Sequence, residues 1–116
     1  MKKNRAKDER WIQVVNEVWK RDGECRVWKC LTDDEKQYIA DNFADEYRVL
    51  SKTWDVAHIK NRHHRDKYYD PDNLLLVARY FHSLLDQFKD PVTREDITKK
   101  QRNAWFQRIK RGSHEF

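Results

Sequence analysis

Apolar residues recur along this chain with two different periods, and the changes of period divide it into helices and strands. From Ala6 to Arg21, the residues Trp11, Ile12, Val14, Val15, Val18 and Trp19 fall at helical spacing, and Gly23 stands just past the end as a stop. From Thr32 to Arg48, Tyr38, Ile39, Phe43 and Tyr47 mark another, less amphipathic helix. It opens with Thr32-Asp-Asp-Glu35, a capping box in which each end satisfies the other's backbone N–H. Its outer face is acidic (Asp33, Asp34, Asp41, Asp45, Glu46) and would repel a polyanion, so it is expected away from any nucleic-acid surface. Val49 to Ile59 reads as β-like, Lys60 to Tyr69 as a loop, and Asp70-Pro71-Asp72-Asn73 as a turn. Leu74 to Ala78 is a continuous apolar run of strand length, followed by a helix from about Arg79 to Phe88. After a break at Asp90-Pro91, Thr93 is expected to open the last helix, with Asp96 at the capping-box position and Ile97, Trp105, Phe106 and Ile109 facing inward.

This pattern predicts a single α+β domain over residues 1–116, mostly helical, with one pair of strands between helices. Composition sharpens the picture. Only two Gly and two Pro leave the loops to polar residues, and five each of Trp, Tyr and Phe offset an apolar share of 38%. Lys and Arg outnumber Asp and Glu by 25 to 20, a net charge of +5, which favours polyanionic partners without naming one. In the last helix Lys99, Lys100, Arg102, Arg108, Lys110 and Arg111 make the outer face basic; a solvated face explains such a run as well as a DNA contact does. No apolar run is long enough for a membrane span, MKKNRAKDER lacks the apolar core of a secretory signal, and two cysteines make no disulfide framework. A cytoplasmic location is expected.

Candidate chemistry gathers in the middle of the chain. Cys25 and Cys30 could form half of a zinc knuckle, with His63, His64 or His114 completing it, but no second cysteine pair follows; a turn or short hairpin is the simpler expectation. His63, His64 and His114 taken singly read as surface residues. The ordered set of His58 after a β-like run, Asn73 before an apolar run and His82 at a helix start is more specific. Hydrolysing a phosphodiester needs an activated water and neutralisation of charge on the phosphate. Histidine titrates near pH 6.5 and can take the water's proton, and a divalent cation can supply the charge.

The stretch from about Thr53 to Phe88 resembles the HNH endonuclease family of ββα-metal nucleases (His-Me fingers), and small phage-encoded HNH proteins in particular. The resemblance rests on Ala-His58-Ile, Asp-Asn73-Leu and His82 in that order. It implies a ββα-metal core over residues 53–88; the flanking helices, at 6–48 and a basic one at 93–111, rest on periodicity and are not explained by the resemblance. It implies metal-dependent cleavage of DNA, nicking by a monomer. By position His58 would be the general base, Asn73 the residue that holds the loop and orients His58, and His82 a metal ligand, with Asp86 one helical turn later. The loop residues Lys60, Arg62, His63, Arg65 and Lys67 would lie beside the scissile phosphate, where Arg62 and Arg65 clamp its oxygens.

Two departures from the family pattern carry expectations. Many members place a metal-binding Asp or His just before the base; here that residue is Ala57, and Asp55, on the same side of an extended strand, is the candidate replacement. Members with a structural zinc carry cysteines where this chain has Ala78 and Phe81, so no structural zinc is expected. The cofactor implied is one divalent cation, Mg²⁺ or Mn²⁺, with Zn²⁺ or Ni²⁺ as alternatives. The partner implied is DNA, double-stranded in the first instance, met by a monomer or homodimer, without a membrane and in the host cytoplasm if phage-encoded. Phage packaging or replication proteins are further candidate partners. Two rival readings stand beside this one. One is a catalytically weak accessory protein on the same scaffold, serving phage DNA packaging or recombination; the other is an interaction domain whose aromatic residues form a partner surface.

Overall fold

The computed structural model describes residues 9–59 and 68–112. Along them run α1 (Glu9–Asp22), α2 (Arg26–Cys30), α3 (Asp33–Asn42), α4 (Ala44–Leu50), β1 (Trp54–His58), a 3₁₀ turn (Pro71–Asn73), β2 (Leu74–Ala78), α5 (Arg79–Asp86) and α6 (Lys99–Arg111). The architecture is α+β and mostly helical. Among the described residues the strands form one antiparallel pair, in register from Trp54↔Ala78 to His58↔Leu74.

β2 reads as unbroken Leu-Leu-Leu-Val-Ala because both of its faces are covered. Leu74 and Leu76 pack with Val14 and Val18 of α1. Leu75 and Val77 join the larger core of Val27, Ile39, Phe81, Leu85, Phe106 and Ile109. Each such side chain contributes roughly 1.5–3 kcal/mol on burial. Aromatic contacts tie α2, α4 and α5 together: Trp28 stacks on Tyr47 at 4.8 Å, and Tyr47 meets Tyr80 edge-on at 5.3 Å.

The far edge of β2 is closed by side chains instead of a third strand. Asp22 Oδ2 accepts the Leu76 N–H at 2.9 Å, and Cys25 Sγ accepts the Ala78 N–H at 3.1 Å. Arg21 donates to the carbonyls of Leu74 (2.7 Å) and Pro71 (2.8 Å). A buried N–H left without a partner costs roughly 1–3 kcal/mol, so these contacts hold the sheet edge as backbone pairing would. The Asp22 side chain is fully buried and also receives Arg21 at 2.7 Å and Arg26 at 2.8 Å. Burial pushes its pKa up, but hydrogen bonds from Arg21, Leu76 and Arg26 outweigh that and hold the carboxyl below the ordinary range.

Several sequence expectations are corrected. Cys25 and Cys30 lie in no hairpin: Cys25 precedes the short helix α2, Cys30 ends it, and both are buried free thiols. The Thr32–Glu35 capping box forms, but the helix it opens ends at Asn42. Phe43 (φ −136°, ψ 28°) breaks the path because its ring turns toward the core, where the Arg94 guanidinium lies 4.8 Å over it. α4 then runs to Leu50, so the strand begins at Trp54 and not at Val49.

The last helix begins after Thr98, not Thr93. The Asp90 carboxylate accepts the N–H groups of Val92 (2.7 Å) and Thr93 (2.9 Å), Lys89 bridges to Asp96, and the capping box is Thr98 with Gln101. Two of the cations expected on its outer face point inward. Arg108 grips Glu35 and the Cys30 carbonyl (2.8 Å), and Arg102 donates to the Leu85 carbonyl at 2.7 Å. Arg26 reaches the carbonyls of Ile109 and Lys110, both at 2.9 Å, and closes the end of α6. No helix among the described residues is long and apolar enough to cross a membrane.

Candidate active site

β2 passes into α5 without a loop, Ala78 being the last residue of one and the cap of the other. That fixes the first turn of α5 beside β1. Arg79, His82 and Asp86 share one helical face, at spacings of three and four, and this face meets Asp55 of β1.

His82 is held from both sides. Its Nδ1 lies 3.0 Å from Asp55 Oδ2 and its Nε2 lies 3.4 Å from Asp86 Oδ2. Arg79 donates to the same Asp55 carboxylate from Nε (3.3 Å) and Nη2 (3.0 Å). Partial burial pushes the Asp55 pKa up, but hydrogen bonds from Arg79 and His82 prevail and lower it. The Asp55 hydrogen bond in turn raises that of Arg79. The result is an imidazole between two carboxylates with a guanidinium at its edge.

His58 belongs to a separate group at the end of β1. Its ring stacks on Trp11 (5.6 Å between centroids, 9° between planes) and on Tyr68 (4.8 Å, 28°). Its Nε2 is 3.2 Å from the Tyr68 carbonyl, and since a carbonyl only accepts, Nε2 is the donor in this contact. Asn73 is buried beside this end of the ribbon. Its carbonyl accepts the Ile59 N–H at 2.8 Å and its N–H donates to the Asp70 carbonyl at 2.9 Å. The backbone of Asn73 therefore anchors the residue that follows His58.

The structure brings Asp55, His82 and Asp86 together but does not bring His58 to them. Asp55 and His58 are three positions apart on one strand, on opposite faces and roughly 10 Å apart along it. Trp11 links the two groups: it covers the His58 ring and also lines a groove with Val15, Trp19, Trp54, Val56, Asp55 and His82. Ala57 is buried in the core and offers no donor. Lys60, Arg62, His63, His64, Arg65, Lys67 and His114 lie outside the described residues.

Sequence reasoning missed Arg79 and Trp11. Arg79 was legible as the residue one turn before His82, whereas Trp11 is indistinguishable in the sequence from ordinary core. The groups at His82 are an imidazole, a donor that suits Zn²⁺ or Ni²⁺, and carboxylate oxygens, which suit Mg²⁺ or Mn²⁺. Among the described residues no three His, Cys, Asp or Glu side chains are grouped to hold a metal ion. Mg²⁺ needs no such cage, since it commonly takes one or two protein ligands and completes its shell with water and substrate phosphates. The chain matches no family model, no curated protein and no solved structure.

Proposed function

We propose that this chain is a divalent-metal-dependent endonuclease that hydrolyses phosphodiester bonds of DNA one strand at a time, on an HNH-like ββα-metal core. The observation that carries the reading is His82, one turn into the helix that leaves β2, bracketed by Asp55 and Asp86. A strand pair, a following helix and a histidine–carboxylate cluster at their junction make a site for a cation and a phosphate.

His82, through Nε2, and Asp86 would hold the cation, and Asp55, on the opposite ring nitrogen, would fix the orientation of the imidazole. When bound, the cation neutralises the scissile phosphate and the leaving oxygen. His58 takes a proton from water, the water oxygen attacks phosphorus, and the bond from phosphorus to the leaving oxygen breaks. Asn73 positions His58 through its backbone hold on Ile59. Arg79, at the rim of the cluster, is placed to contact a non-bridging phosphate oxygen. The reading requires the His58 ring to leave Trp11 and Tyr68 when DNA enters, and the substrate to bridge the roughly 10 Å of β1 that separates His58 from Asp55.

The accessory reading is favoured by one specific observation, the donor-free, buried Ala57. Supercoiled plasmid incubated with the protein and Mg²⁺ or Mn²⁺ separates the two. The nuclease reading expects conversion to open circles that EDTA abolishes. DNA binding with no conversion under any metal would replace it with the accessory role.

A further inference from the structure

The groove beside His82 carries three indoles, Trp11 and Trp19 of α1 and Trp54 of β1. Val14 and Val18 already supply the inward stripe of α1. Another stripe, Trp11, Val15 and Trp19, lies along the neighbouring face at steps of four and lines the groove. Trp54 of β1 completes it, tilted 32° to Trp19 with the ring centroids 5.5 Å apart. Trp11 packs partly on the core, but Trp19 remains 40% exposed, so this end of the stripe is not consumed by it. The groove follows the outer edge of β1, where no strand pairs among the described residues.

Both ends of the groove carry guanidinium groups. At the Trp11 end Arg10 lies 4.1 Å over the Tyr69 ring, which itself meets Trp11 edge-on. At the other end Arg79 is more than half exposed beside Asp55 and His82. Trp11 and Trp19 are separated by roughly 12 Å along the helix at about 1.5 Å per residue, the length of three to four stacked nucleotides at about 3.4 Å each. Trp11 is stacked on His58, and the rings left toward the groove, Trp19 and Trp54 between terminal cations, fit a strand whose bases are free to stack and whose phosphates need neutralising. A duplex presents its bases edge-on in the grooves and offers no such faces.

We propose that this groove binds an unpaired DNA strand, with bases stacked against Trp19 and Trp54 and the backbone led across His82. The proposal rests on the nuclease reading for its choice of DNA, and it narrows the substrate from duplex to single-stranded or locally opened DNA.

The test is fluorescence anisotropy with a labelled 20-nucleotide single strand and the matching duplex, in EDTA so that no cleavage intervenes. Wild type, Trp19→Ala and Trp19→Phe are compared, with far-UV circular dichroism confirming that each is folded. The wild type is expected to bind the single strand at least tenfold more tightly than the duplex. Trp19→Ala is expected to weaken single-strand binding by about 5- to 140-fold, the loss of one base stack, with Trp19→Phe in between. Equal or tighter binding of the duplex by wild type would overturn the proposal, and that comparison needs no variant. So would single-strand affinity unchanged in a folded Trp19→Ala, including the case where the groove instead holds a second copy of the chain, seen as a dimer by light scattering. Tight, Trp19-dependent binding without cleavage in Mg²⁺ or Mn²⁺ would keep the groove and discard the nuclease. Cleavage without single-strand preference would do the reverse.

Discussion

Asp22 offers the sharpest test of how this fold is held together. Replacing it by Ala removes the acceptor of the buried Leu76 N–H and leaves Arg21 and Arg26 without the carboxylate that neutralises them. The Asp22 side chain is 0% exposed and that of Arg26 15%, so water cannot readily take its place. Breaking a buried ion pair by removing one partner costs about 3–5 kcal/mol. With an unfolding entropy of about 2.1 cal/mol/K per residue over 116 residues, 1 kcal/mol moves Tm by about 4 °C. Asp22→Ala should therefore lower Tm by about 12–20 °C, which threatens a domain whose whole stability is about 5–15 kcal/mol.

Asp22→Asn keeps an oxygen for Leu76 but loses the charge, and about half that effect is expected. The sign with pH follows from the lowered pKa of Asp22. Its contribution is complete above the unfolded carboxyl value near 3.9 and disappears as pH falls through the folded value. Wild type should accordingly lose more stability than Asp22→Asn on acidification below about pH 4. Circular dichroism melts of the three proteins at neutral and acid pH provide the measurement. A drop of less than about 4 °C in Asp22→Ala would refute the view that side chains close the edge of β2.

Two further outcomes follow from the same structure. Arg79 shares the Asp55 carboxylate with His82, so Arg79→Ala should bind Mn²⁺ several-fold more tightly than wild type in calorimetry without DNA, and bind DNA more weakly; unchanged affinity for both would remove Arg79 from the site. Cys25 and Cys30 are buried, and burial pushes the Cys30 thiol up to about 11, so a thiol reagent at neutral pH should label neither until denaturant is added; fast labelling of the native protein would contradict their place in the core.

What the sequence made legible was local. The run Leu74–Ala78, the turn before it and the Thr32–Glu35 box each announce themselves within a few residues, and each forms where expected. His82 and Asp86 share a helical face for the same reason, and Asp55, two residues before Ala57 on β1, meets His82. What was illegible depended on distant partners. Thr93 and Thr98 both open a capping pattern, and Asp90 decides between them by taking the N–H groups around Thr93. Arg102 and Arg108 resemble a solvated face in the sequence because their acceptors, Leu85, Cys30 and Glu35, are far away in the chain. The role of Cys25 needed the Ala78 N–H to be seen beside it. Trp11 over His58 is a contact across 47 positions, which no periodicity could reveal.

The most direct test of the central claim is the initial rate of nicking of supercoiled plasmid in Mn²⁺ by wild type, His58→Ala and His82→Ala, with circular dichroism as the check on folding. Loss of a positioned general base costs about 10²–10⁴-fold, so His58→Ala should fall by at least about 100-fold. His82→Ala should fall at least as far and lose Mn²⁺ binding by calorimetry with it. Nicking retained in a folded His82→Ala, or absent from wild type with every divalent metal, would contradict the account.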